Sequence, residues 1–134
     1  MLCLHTERDP RHKQVIEEPR PNVSFVLCHA CVTSPSLVVL KDANTVVHDM
    51  KHRAGRYFRE FIKLDAANKT ILLPRLMRMY WVDFGGSRAK VLRYISVMSG
   101  AQFAAELKPY IESMQAKVDF SKLDWTPLIS IFDE

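Results

Sequence analysis

The strongest pattern of apolar and polar positions in the chain is a helical stripe. Between Ala43 and Ile62, the residues Val47, Met50, Ala54, Tyr57, Phe58 and Phe61 recur at the spacing that gathers apolar side chains on one helix face. Lys51, Arg53, Arg56 and Arg59 fall outside that stripe. Asp42 or Asn44 is placed to cap the start, and Gly55 weakens the interior by roughly 1 kcal/mol relative to alanine. Upstream, Val23 to Cys28 is apolar on both alternating faces, which predicts a central strand. Leu37 to Leu40 predicts a short strand or a covered loop. Downstream, Ile62 to Leu64 and Thr70 to Leu73 flank a turn in which Asn68 suits a left-handed conformation, so a hairpin is expected.

The run Thr70 to Gly86 follows as a strand–proline–helix–glycine unit. Pro74 stops the strand and fits the first turn of a helix. Leu76, Met77, Met79, Tyr80 and Trp81 give that helix a wide apolar surface, with Arg75 and Arg78 on the remaining face. Asp83-Phe84-Gly85-Gly86 ends it. Ser87 then caps a helix whose face is Val91, Leu92, Ile95 and Met98, closed by Gly100. A last helix carries Phe103, Leu107, Ile111 and Met114, and Pro109 is expected to kink or divide it. Val118 to Glu134 reads as a tail. Residues 1–22, with Pro10, Pro19 and Pro21 among alternating charges, read as an irregular arm. The whole predicts one α+β domain over residues 23–134: a small mixed or antiparallel sheet packed by three to four helices.

Composition narrows the class. With 134 residues, 48% of them hydrophobic and 25% charged, the chain has enough apolar material for a core and too much for disorder. No apolar run approaches the roughly 20 residues of a membrane span. Met1 to Asp9 carries no signal-peptide core, and an odd three cysteines fit a reducing compartment, so a cytoplasmic location is expected. The net charge of +4 permits weak attraction to anions, but the basic residues are scattered, which argues against nucleic-acid binding.

Chemistry concentrates at Cys28-His29-Ala30-Cys31. Dithiol redox work there requires Cys28 at a helix N-terminus, where the backbone dipole stabilises a thiolate, and the following Thr33-Ser34-Pro35-Ser36 opposes a helix. Zinc is a second reading. His48 and His52 stand four apart on one helix face and, with Cys28 and Cys31, complete a four-ligand set. Sixteen residues separate Cys31 from His48, slightly above the range of about 12–15 expected for such sites. A third reading is a cysteine nucleophile activated by a nearby histidine. Against all three, Cys28 reads as a small core residue, His29 and Cys31 as loop residues, and His48 and His52 as a solvated helix face. Asp83-Phe84-Gly85 has the letters of a kinase metal-binding triplet without its glycine-rich or His-Arg-Asp loops, and reads as structural. Arg75, Arg78, Arg88, Lys90 and Arg93 form either a basic surface or a solvated face.

Four pieces together resemble the family of the domain of unknown function numbered 547. Asp9-Pro10-Arg11 leads into Glu18-Pro19-Arg20-Pro21-Asn22 and the strand-like run through Phe25 and Leu27. The loop ends in Ser34-Pro35 ahead of Leu37 to Leu40. Ile71-Leu72-Leu73-Pro74-Arg75-Leu76 is followed by Tyr80 and Asp83-Phe84-Gly85, and the chain closes with Leu123-Asp124-Trp125-Thr126. The pieces span nearly the whole chain in the family's order and spacing. The family's N-terminal segments, Phe-Trp-Ile-Asn…Tyr-Asn and Ile-Glu-His-Gly-Ile-Leu-Arg, have no counterpart, so the likeness implies the C-terminal half of a larger domain. The loop cysteine and glycine of many members fall at His29 and Ala30 here. Because the family accompanies DEP and leucine-zipper regions, the resemblance implies an interaction or signalling module without demonstrated catalysis and with no cofactor. Its partner would be a protein or the missing N-terminal half. The family's association with glutaredoxin domains implies the alternative, a thiol-dependent enzyme or redox protein using Cys28, His29 and Cys31; a zinc-stabilised binding module is the weaker alternative.

Overall fold

The computed structural model describes Pro10, Glu18, residues 20–113 and residues 115–127. Most of the expected arm, Cys3, Met114 and the run Leu128 to Phe132 lie outside the described residues. The long helical stripe becomes helix α1, Val46–Phe61, which buries Met50, Ala54, Gly55, Tyr57 and Phe58. It starts later than its pattern predicts because Asn44 donates its backbone N–H to the Asp42 carboxylate at 2.8 Å and Thr45 donates to the Asp42 carbonyl at 3.3 Å. Those bonds close a turn ahead of the helix, and Val47, in the first turn of α1, is exposed. Thr45 is the N-cap residue, and its side chain makes no capping bond.

Strands β1 (Lys63–Asp65) and β2 (Thr70–Leu73) pair antiparallel, as the hairpin pattern predicts. Asn68 holds the turn by donating its backbone and side-chain N–H groups to the Asp65 carboxylate at 3.0 and 2.7 Å, while Lys69 takes the left-handed conformation, φ 49°. A third strand, β3 (Lys117–Phe120), lies parallel to β2 on its other side. The sequence placed that segment at the start of a tail. Its alternation is short, and parallel pairing across three intervening helices leaves no local signature. The sheet is therefore mixed, in the order β1-β2-β3. Central β2 buries Ile71 and Leu73 on the face turned to the helices.

Pro74 opens a short helix, α2 (Arg75–Met79), which ends earlier than its apolar run predicts. Tyr80 to Gly86 instead form turns closed by Gly85 N–H to the Val82 carbonyl at 3.0 Å and Gly86 N–H to the Trp81 carbonyl at 3.1 Å, with both glycines at positive φ. Helix α3 (Arg88–Ser99) starts at Ser87, whose hydroxyl accepts from Lys90 N–H at 3.4 Å, and stops at Gly100. Helix α4 (Ala101–Glu112) is not divided at Pro109. Pro109 sits near the end of the helix and is solvent-exposed, so it sacrifices little intrahelical bonding.

The predicted strand Val23 to Cys28 is not formed. Pro21–Phe25 is a 3-10 helix instead, with Val23 N–H on the Arg20 carbonyl at 3.0 Å. Pro21 fixes the backbone angle for that turn. Only Phe25 of the run is deeply buried, and it anchors an aromatic cluster: Phe58 lies edge-on at 4.9 Å, Tyr57 at 5.3 Å and Phe84 at 5.6 Å between ring centres. Leu37 to Leu40 is neither strand nor covered loop: Leu37 is 79% exposed and Val39 75%. Among the described residues, the fold is a small α+β unit of four α-helices and a three-stranded mixed sheet.

Candidate functional site

Residues 26–36 leave the 3-10 helix and cross the flank of α1. Ser34 organises this loop. Its hydroxyl accepts from His29 N–H at 2.6 Å, donates to the Pro35 carbonyl at 3.0 Å and contacts the Cys28 sulfur at 3.8 Å. Cys28 Sγ also accepts from Ala30 N–H at 3.3 Å, and Ala30 takes a positive φ. Tyr57 of α1 donates its phenol to the Thr33 carbonyl at 2.8 Å. Burial pushes that phenol well above its usual range, with Cys31 and Glu60 adding to the effect.

The closing segment of the described chain fastens the loop from the other side. Thr33 Oγ1 donates to the Asp124 carbonyl and accepts from Asp124 N–H, both at 3.2 Å. Val32 N–H donates to the Thr126 carbonyl at 3.0 Å, and Cys31 and Pro127 form an antiparallel bridge. Asp124 shapes this segment by accepting from Thr126 N–H at 2.9 Å, and hydrogen bonding from the Thr126 side chain, then from its backbone, holds the carboxyl below the usual range. The motif residues Ser34, Pro35, Asp124 and Trp125, far apart in sequence, thus meet in one loop–tail junction. Phe25 and Phe84 meet in the core beneath, where Phe84 is buried and Tyr80 half-buried. Pro74 opens α2, Gly85 closes the following turn, and Asp83 stands exposed.

The structure holds the Cys28 and Cys31 thiols half-buried or buried and does not bring the four zinc candidates together. Cys31 is 4% exposed, Cys28 is half-buried, and neither is in a disulfide. Cys28 follows a 3-10 helix and does not begin an α-helix, so it lacks the helix-N-terminal position that the dithiol reading requires. His29 is exposed, and only its backbone N–H is engaged among the described residues. His48 and His52 project from the side of α1 opposite its buried stripe, and His48 lies 3.8 Å from Asp49. The loop meets α1 at Tyr57, beyond both histidines, so Cys28, Cys31, His48 and His52 are not brought together. Among the described residues, no three His, Cys, Asp or Glu side chains gather closely enough to hold a metal ion. Of the basic candidates, Arg88 is spent on the fold, and Arg75, Arg78, Lys90 and Arg93 are exposed.

What the loop does build is a cleft of about 210 Å³ against α1. Phe25, Pro35, Tyr57 and Phe61 form apolar walls, while Arg53, Arg56, Glu60 and Ser36 supply the polar lining. Ser36 leads directly into the exposed run Leu37 to Leu40. Among the described residues, that run makes no backbone–backbone hydrogen bond. Sequence reasoning placed Arg53 and Arg56 off the apolar stripe without assigning them a role. The missing information was tertiary: only the loop's docking beside Tyr57 turns a solvated flank into one wall of a cleft. No protein-family model, curated protein or solved structure matches this chain.

Proposed function

We propose that this chain is an interaction or signalling module, of the kind the likeness to the domain of unknown function 547 implies, and not a thiol catalyst. One observation carries the reading: the run Leu37 to Leu40 presents Leu37 and Val39 to solvent at 79% and 75% exposure, with a backbone unpaired among the described residues. An irregular apolar segment with open N–H and C=O groups is a template for pairing with another chain, because such groups gain hydrogen bonds while the side chains leave water. The loop–tail junction supports the same reading. It spends Ser34, Cys28, Thr33 and Asp124 on holding the segment in place and, among the described residues, leaves no assembled nucleophile and base. The cytoplasm is the proposed compartment, supported by the two unbridged thiols. No helix among the described residues is long and apolar enough to cross a membrane.

Selection of a displayed random-peptide library on the immobilised full chain tests the reading. The expected result is an enriched peptide that binds the wild-type chain and loses binding to Val39→Asp, with the circular dichroism spectrum unchanged. Failure to enrich any peptide, or equal binding to Val39→Asp, overturns the module reading.

A further inference from the structure

The cleft beside the exposed run has a charge and a size that restrict what enters it. Arg53 and Arg56 are three residues apart on α1, a spacing that puts both guanidinium groups on one flank of the helix. Among the described residues, neither makes an ion pair or a hydrogen bond, whereas the Tyr57 phenol is taken by Thr33 and the Ser34 hydroxyl by His29 and Pro35. Two uncommitted guanidiniums over apolar walls favour a planar anion, because the guanidinium fork matches a carboxylate. At about 210 Å³ the cleft is smaller than the roughly 300 Å³ at which pockets for drug-sized molecules begin. A single side chain fits that space better than a free metabolite. Glu60, on the same lining, disfavours a polyanion such as a nucleic acid, which wants a continuous basic stripe.

We infer that the partner is an acidic peptide segment that lies along Leu37 to Leu40 and places one carboxylate side chain between Arg53 and Arg56. The inference rests on the interaction reading and adds the chemistry of the occupant. The apolar run supplies main-chain pairing without preference for sequence, and the arginine cleft selects the acidic residue. Ser36, at the junction of the two, sets the register between them.

The test uses the full chain and two fluorescent synthetic peptides, one alternating valine with glutamate and the other valine with glutamine, read by fluorescence polarisation. The glutamate peptide is expected to bind at least about tenfold more tightly, with an advantage that shrinks as salt rises. In the double variant Arg53→Gln, Arg56→Gln the two peptides are expected to bind alike, while Val39→Asp weakens both. Equal binding of the two peptides to the wild-type chain overturns the carboxylate inference and leaves the module reading standing on the display result. Binding of neither peptide also overturns it, as does tighter binding of a single-stranded oligonucleotide that displaces the glutamate peptide.

Discussion

Gly55 of α1 lies directly against the backbone of Met98 in α3, and a β-carbon added there would collide with the Met98 carbonyl oxygen. The two helices pack closely at this point, and Arg59, one turn further along α1, donates to the Ser99 carbonyl at 2.7 Å. The collision is with backbone, so no rotamer change relieves it. Alanine would gain roughly 1 kcal/mol of helix propensity, but overpacking a tight contact costs about 1–3 kcal/mol or more. Gly55→Ala is expected to lower stability by up to about 2 kcal/mol on balance, measured as a shift in urea midpoint. An unchanged or raised midpoint would mean that α1 and α3 do not approach this closely.

Arg88 closes the far end of α4. Its guanidinium donates to the carbonyls of Tyr110 at 2.9 Å and Ser113 at 3.0 Å. Both groups belong to a helix terminus whose last carbonyls need partners. Arg88→Met keeps most of the packing and removes the bonds, and should cost about 1.5–3 kcal/mol in chemical denaturation. Arg93→Met, on the exposed face of α3, should cost less than about 0.5 kcal/mol.

The phenols of Tyr57 and Tyr94 are both raised by burial. The folded state favours their neutral forms, so their contribution is complete below the unfolded value of about 10 and is lost as pH climbs toward the higher folded values. Stability should therefore fall above about pH 10. Tyr57→Phe removes the bond to the Thr33 carbonyl, should cost about 0.5–1.5 kcal/mol at neutral pH, and should make the alkaline decline shallower than in the wild-type chain. Urea midpoints of both chains at neutral and alkaline pH check this.

Cys28 and Cys31 differ in access. Cys31 is 4% exposed beneath the loop–tail junction, and Cys28 is half-buried. Alkylation followed by peptide mass mapping should show Cys31 reacting about tenfold or more slowly than Cys28 in the folded chain, and the two alike in urea. The thermal transition should be unmoved by a chelator, because the four cysteine and histidine candidates do not converge. A transition lost on chelation would restore the zinc reading.

Residue pattern alone reached the elements whose signals are local. The α1 stripe, the hairpin around Asn68, the Ser87 cap and the Gly100 stop all depend on neighbours a few residues away. The pattern misread Val23 to Cys28, because a run apolar on both faces does not distinguish a buried strand from a turn with one buried anchor, here Phe25. It missed β3 because parallel pairing with β2 crosses three helices. Gly55 looked like a local weakness, and its purpose is visible only with Met98 beside it. The candidate cleft was illegible for the same reason. Arg53 and Arg56 are ordinary solvated positions until the Ser34 loop docks on Tyr57.

Hydrogen–deuterium exchange of the full chain, free and with a selected binding peptide, tests the interaction face most directly. The amides of Val38 to Leu40 should exchange at nearly unprotected rates in the free protein while those of Ile71 and Leu73 in β2 are protected, and saturating peptide should slow the first group. Protection of Val38 to Leu40 in the free chain, or no change on binding, would contradict the claim that this run is the docking surface.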